Sequence, residues 1–182
     1  MAQYGLPISD IVEVEFSEGA GDADADHFDE VDEGFGAGRG SGSGPDDATT
    51  YWKTIDSPTA LSDLQDLLST VTDPVSNTGH INRARSRKNA SAGKQIDHTV
   101  WLYQGDTGLV STIYVDVNEV WTTRVYTLTG AQADSITNYA DLRMRTQFRG
   151  VGGGAARHGQ ESAHEFECPD AHAGDDPKAR II

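Results

Sequence analysis

NTGHINRARSRK (residues 77–88), QIDHTVWLYQG (95–105), LVSTIYVDV (109–117) and WTTRVYTLTGAQADSITNYADLRMRTQF (121–148) follow one another with little between them. Side chains at i and i+2 share one face of a strand while the residues between them point the other way, so alternation here is a strand signal. Leu109, Ser111, Ile113, Val115 and Val117 make one face, and Val110, Thr112, Tyr114 and Asp116 the other. Trp121, Thr123 and Val125 oppose Thr122, Arg124 and Tyr126; Leu142, Met144 and Phe148 alternate with Arg143, Arg145 and Gln147. β-Branched and aromatic residues dominate, as half-buried pleated surfaces favour. Gly105-Asp106-Thr107-Gly108 reads as a tight hairpin connection. The pattern predicts an all-β antiparallel sandwich.

One segment breaks the period. Thr129 is followed three residues later by Gln132, the spacing of a capping box, in which each side chain satisfies a backbone amide of the other residue. A helix of about two turns through Ile136 is expected.

With 182 residues and 36% hydrophobic content, one core and a single domain with irregular ends are expected. No apolar run is long enough to span a bilayer, and the N-terminal MAQYGLPISDIVEVEF lacks the basic start and apolar stretch of a secretion signal. The reading is a soluble chain made in the cytoplasm, without membrane partners. Cys168, the lone cysteine, has no internal disulfide partner. As a nucleophile it would need an activating base, and His164 lies two strand steps away, so a small buried side chain is the expectation.

Charge carries a second message. The formal net charge is -15, Asp outnumbers Glu by 20 to 9, and the lysines are Lys53, Lys88, Lys94 and Lys178. That balance is expected of a protein adapted to brine, where the Debye length falls to roughly 3 Å at 1 M salt and self-repulsion is screened. Equal thermal stability in about 0.1 M and about 3 M salt would contradict it. Residues 1–47 carry thirteen carboxylates against Arg39, and they include the tract GFGAGRGSGSGP. Val12, Val14 and Phe16 alternate with Glu13 and Glu15, a short strand signal. The segments expected are an acidic N-terminal arm over 1–26, a sandwich domain over 27–171 with a Gly/Ser-rich loop at 35–45, and a C-terminal tail over 172–182. Asp22, Asp24 and Asp26 resemble the start of a calcium loop, but His27 stands where such a loop needs glycine and no glutamate closes it. No metal is expected there.

Arg83, Arg85 and Arg87 share one strand face, and Lys88 and Lys94 extend the cluster towards the Asn89–Gly93 turn. Nucleic-acid binding would need interleaved stacking aromatics and a basic domain, whereas the opposite face is Asn82, Ala84 and Ser86 and the chain is strongly acidic. The stripe Arg83, Arg85, Arg87 and Lys88 is instead expected to pair with acidic neighbours, on adjacent strands or on another subunit. No phosphate loop, nucleophile elbow, HExxH or cysteine–histidine zinc spacing occurs. The histidines at 27, 80, 98, 158, 164 and 172 give no ligand pair within one turn, and His98 and His164, on strands, read as ordinary core or surface residues and not as ligands. No catalytic residue, cofactor site or metal site is assigned, and the chain reads as a non-enzyme.

The ordered motifs DDATTY (46–51), NTGH (77–80), RARSRK (83–88), QIDHTVWLYQG (95–105), TLTGAQADSITNYADLRMR (127–145) and EFECPDA (165–171) resemble a structural protein family of tailed viruses. In that family an aspartate-rich "IDE" strand, matched here by HFDEVDEG (27–34), precedes "DDATTY", an arginine-alternating strand and a closing "EFEVPDA" strand. The resemblance covers residues 27–171 and implies a jelly-roll-like sandwich on the virus particle, with no catalytic residues to carry over. Two departures stand out. Asn82, Ala84 and Ser86 replace bulky apolar residues, implying looser packing or a partner-facing strand, and Cys168 replaces a common valine.

Two function classes follow. The first is a virion structural protein of a haloarchaeal tailed virus, a capsid decoration or turret or a neck or tail subunit, homo-oligomeric and bound to other virion proteins. The alternative is a carbohydrate-binding module without catalytic activity, with Trp101, Tyr103, Tyr114 and Tyr126 as aromatic candidates for glycans, including those of a host surface.

Overall fold

The computed structural model describes residues 1–14, 16–18, 27–36, 44–45, 47–48, 50–58 and 63–171. Eleven strands follow in chain order: β1 (Ala2–Gly5), β2 (Pro7–Val14), β3 (Phe16–Glu18), β4 (Trp52–Thr54), β5 (Asp63–Leu68), β6 (Ile81–Lys88), β7 (Gln95–Gln104), β8 (Thr107–Tyr114), β9 (Thr122–Thr127), β10 (Leu142–Val151) and β11 (Gly159–Pro169). They form two antiparallel sheets packed as a sandwich, as the alternation predicts. The first sheet runs β3-β4-β11-β6-β9, with β1 also on β11; the second runs β2-β5-β10-β7-β8.

Residues 2–5 and 7–14, grouped with an acidic arm in which only Val12–Phe16 carried a strand signal, are integral strands. β1 pairs with the end of β11 in the first sheet, and β2 pairs with β5 in the second. Burial accompanies the pairing: Gly5 and Pro7 are buried, and Asp10 accepts from the His27 backbone amide. The C-terminal tail beyond residue 171, most of the Gly/Ser-rich loop, and Asp22, Asp24 and Asp26 lie outside the described residues.

The β7–β8 hairpin turns at Gly105 and Asp106, with Gly105 at φ 54°, a left-handed conformation suited to glycine. The capping box forms as read: Thr129 Oγ1 accepts from the Gln132 amide, and the Gln132 side chain accepts from the Thr129 amide. The helix it starts, α1 (Gly130–Ala133), is shorter than two turns. After Ala133 the hydrogen bonds tighten to i+3, with the Ser135 and Ile136 amides donating to the Gln132 and Ala133 carbonyls.

Inside, two apolar clusters sit at opposite ends of a polar layer. One contains Leu68, Leu102, Leu142, Met144, Phe166 and Cys168, the other Trp52, Leu64, Ile96 and Phe148. Cys168 is buried as expected, and burial pushes its thiol up to about 12, which leaves it unreactive. Phe148 demands Gly159, because a Cβ there would stand 2.1 Å from the ring. On each strand the polar layer occupies the position between the clusters: Asp66 between Leu64 and Leu68, His98 between Ile96 and Val100, and Thr146 between Met144 and Phe148.

Candidate functional site

The polar layer is built by β-bulges. On a regular strand, residues three apart face opposite ways. In β11 the register shifts between Glu161 and Ala163, so Glu161 lies opposite Ser86 and His164 opposite Ala84, and both turn inward. A shift between Asp10 and Val12 in β2 likewise puts Asp10, opposite Asp66, and Glu13, opposite Leu64, on one face of the strand, with Glu13 still reaching solvent. His98 and His164, expected to be ordinary core or surface residues and not ligands, lie in the core, within a charged network.

His164 lies 3.0 Å from Asp66 through Nε2 and 3.7 Å from Glu161 through Nδ1, and all three side chains are fully buried. Burial alone would push the imidazole down; pairing with the two carboxylates outweighs it and carries His164 up to about 9. His98 goes the other way, well below the usual range, because burial and the positive charges of Arg124 and His164 disfavour its cation. It is held as a neutral ring between Ser86 Oγ (3.0 Å) and Thr146 Oγ1 (2.6 Å), stacked on Phe148 at 4.2 Å. Arg124 Nε donates to the same Ser86 Oγ at 3.0 Å. This explains the small polar residues of β6. Asn82, Ala84 and Ser86 face the interior, where Ser86 joins two strands of the polar layer; they are not a partner-facing surface.

The arginine stripe covers the outer face of the first sheet. Arg83 pairs with Glu165 (2.9 Å) and Glu167 (2.5 Å), and Arg85 grips Asp47 with two nitrogens, at 2.6 and 2.5 Å. Arg87 donates to Gln160 Oε1 and lies 4.5 Å over the Trp121 ring. Acidic neighbours within the chain therefore satisfy Arg83 and Arg85, while Arg87 meets a neutral glutamine and an indole ring. Lys88, grouped with it by sequence, belongs to the opposite face of β6 and reaches Asp116 at 2.6 Å.

The outer face of the second sheet is aromatic. Trp101 and Tyr103 project from β7, and between them stands Arg145 of β10, its guanidinium 5.3 and 5.7 Å from the two ring centroids. Arg145 is locked in place: two nitrogens donate to Asp63, and Nη1 donates to Tyr103 Oη at 2.8 Å. Tyr114 and Tyr126, the other two aromatic candidates, turn inward, Tyr114 under the Arg124 guanidinium and Tyr126 against the apolar core. Trp121, not singled out for binding by sequence, stands on the other sheet's outer face, edge-on to Tyr51 at 5.7 Å.

A cleft of about 500 Å³ opens at one end of the sandwich, lined by Asp73, Val75, Asn77, Asp134, Ile136 and Tyr139. Val75 stands at its rim with φ 53°, a strained conformation for a β-branched residue. Its floor is uncharged: burial pushes the Tyr139 hydroxyl up and the His80 imidazole down, and the two share a 2.7 Å hydrogen bond. No sequence signal marks this cleft, because its lining comes from two loops far apart in the chain. Among the described residues, no helix is long and apolar enough to cross a membrane.

No family model and no curated protein matches the chain. Solved structures do. The Stig cyclase Fisc from Fischerella sp. TAU, in complex with a pyrrolidinylidene-indole, matches over 68% of this chain and 66% of its own, at 13% identity and a TM-score of 0.46. SGBP-B from a complex xyloglucan utilization locus in Bacteroides uniformis matches over 88% and 49%, at 8% identity and a TM-score of 0.46. A family 16 carbohydrate binding module matches over 65% and 77%, at 15% identity and a TM-score of 0.37. Likeness at this level concerns the sandwich architecture and says nothing about ligands.

Proposed function

We propose that the chain is a non-catalytic carbohydrate-binding sandwich whose ligand lies along the outer face of the second sheet, on Trp101 and Tyr103. The observation that carries this is the Trp101–Arg145–Tyr103 array, two outward rings with a guanidinium held between them by Asp63. Sugar rings present apolar C–H faces and a rim of hydroxyls, which an aromatic surface flanked by fixed polar groups complements. The array is pre-organised, so little side-chain entropy is lost on binding. The end cleft offers carboxylates but no stacking surface, since Tyr139 is only 7% exposed. The non-catalytic reading is supported by the burial of His164, Asp66 and Glu161, each at 0% exposure, which keeps that group from any substrate.

A glycan array probed in multimolar salt tests the proposal. Binding to one glycan class is expected, weakened about 30-fold or more by Trp101→Ala, the size of a binding hot spot. An array without hits, or binding abolished by Asp134→Asn and untouched by Trp101→Ala, would move the function elsewhere.

A second reading, a structural protein of a haloarchaeal virus particle, has its own support in the motif order. The resembling residues interlock: Asp47 of the DDATTY segment holds Arg85 of β6, the Ser162 hydroxyl of β11 and, through its carbonyl, the Trp121 indole. Such interlocking motifs suit a scaffold repeated among other virion proteins. Mass spectrometry of purified particles should find the chain in many copies, and its absence from intact particles would remove this reading. The two readings are compatible, because a particle-surface sandwich can also bind host glycans.

A further inference from the structure

At the edge of the second sheet, the polar layer meets the 3-10 turn His27–Glu30. The β2 bulge brings Asp10 and Glu13 to one face, and the turn lays His27 against them. The backbone amide of His27 donates to Asp10 Oδ2 at 2.8 Å, which fixes the turn to the strand. One imidazole nitrogen and one carboxylate oxygen from each acid then converge, all within 4.8 Å of one another.

The convergence is not a hydrogen-bonded one. His27 is 94% buried by its 6% exposure, and its Nδ1, 3.3 Å from Glu13 Oε2, makes no hydrogen bond. Asp10 Oδ1 is likewise buried without a donor. A buried imidazole nitrogen without a hydrogen-bond partner, beside two carboxylate oxygens, is the arrangement of ligands around a cation. The spacing agrees. A tetrahedral ion with bonds of about 2.0–2.1 Å has ligand–ligand edges of about 3.3–3.4 Å, and the His27–Glu13 separation already has that length.

We infer that Asp10, Glu13 and His27 bind a divalent transition-metal cation of the Zn²⁺ or Mn²⁺ kind, with water completing its coordination. The donor set selects the class: an imidazole nitrogen favours first-row transition metals, whereas Ca²⁺ takes six to eight oxygens. Glu13 is 39% exposed and gives the ion its entry from solvent, while Asp10 reaches inward to Asp66. The ion clips the 3-10 turn onto β2, next to the buried pair that joins the two sheets.

Calorimetric titration of the full chain with ZnCl₂, MnCl₂ and CaCl₂, in chelator-free chloride buffer, tests this. One Zn²⁺ or Mn²⁺ per chain is expected, with affinity at least about tenfold weaker in Glu13→Gln and His27→Gln and unchanged in His158→Gln. Glu13→Gln alters a solvent-reaching side chain, so a melting curve like the parent's confirms that it still folds. No saturable heat with Zn²⁺ or Mn²⁺ would overturn the inference. So would binding untouched by Glu13→Gln and His27→Gln, or a preference for Ca²⁺ that His27→Gln leaves in place.

Discussion

β6 and β10 look alike in sequence and have opposite roles. Each alternates arginine with something else: INRARSRK in one, LRMRTQF in the other. Behind the arginines of β6 lie Asn82, Ala84 and Ser86, and behind those of β10 lie Leu142, Met144 and Phe148. Outward, Arg83 and Arg85 are consumed by Glu165, Glu167 and Asp47 of the same chain, while Arg145 is set between two rings on the opposite sheet. An arginine row is thus defined by what stands opposite and beside it. On β6 it seals an acidic sheet; on β10 it frames an aromatic surface.

The inward faces should differ most when emptied. Phe148→Ala removes a fully buried ring that touches His98 and Trp52 and should cost about 3–5 kcal/mol. Ser86→Ala removes almost no volume but takes the hydroxyl from His98 and Arg124, and should cost about 1–3 kcal/mol. Denaturant unfolding in high salt measures both. Equal losses would mean that β6 is packed by volume like β10, against the polar-layer account.

The polar layer also predicts a pH response. The folded His164 binds its proton more tightly than the unfolded chain, with a value near 9 against the usual 6.5. Its stabilising contribution is therefore complete below about pH 6.5 and fades as the pH rises through about 9. The melting-temperature gap between the parent and His164→Gln should narrow by roughly several degrees between those limits. A gap that stays constant or widens would mean that the imidazole is neutral in the fold.

Much of this was legible in the residues, and the reason for the rest is physical. Alternation identified β7, β8, β9 and β10 and the separate faces of β6, because those strands keep a period of two, and the turn residues of Gly105–Gly108 marked the hairpin, which turns on Gly105 and Asp106 alone. It does not say which face is covered. In β8 and just beyond its end, the more apolar face turns to solvent: Ile113 and Val115 are 61% and 71% exposed, and Tyr114 turns inward to meet Arg124. The candidate sites were hidden for a different reason. Asp10 and Glu13, like Glu161 and His164, are three residues apart and share a face only because a bulge resets the register. Periodicity places such pairs on opposite faces, so His164 read as an ordinary strand residue and Asp10 as part of an acidic arm. Of the four aromatic candidates, Trp101 and Tyr103 lie on an outer face, whereas Tyr114 and Tyr126 turn inward, since their strands present the other parity to solvent.

The smallest expected effect separates the two arginine rows by function. Lysine keeps the charge of arginine but loses the planar fork and its ring contacts. Arg85→Lys loses a two-point grip on a partly exposed Asp47, and Arg145→Lys loses the same grip on Asp63, so each should cost about 1 kcal/mol or less, with high salt reducing it further. Glycan binding should distinguish what stability does not. With Arg145→Lys the cation between Trp101 and Tyr103 is no longer held flat, the rings gain freedom, and affinity should fall several-fold, roughly the 1 kcal/mol of an exposed cation–π contact. Arg85→Lys, on the other sheet, should leave affinity unchanged. A matching loss from both would place the ligand on neither face and assign both arginine rows to holding the sandwich together.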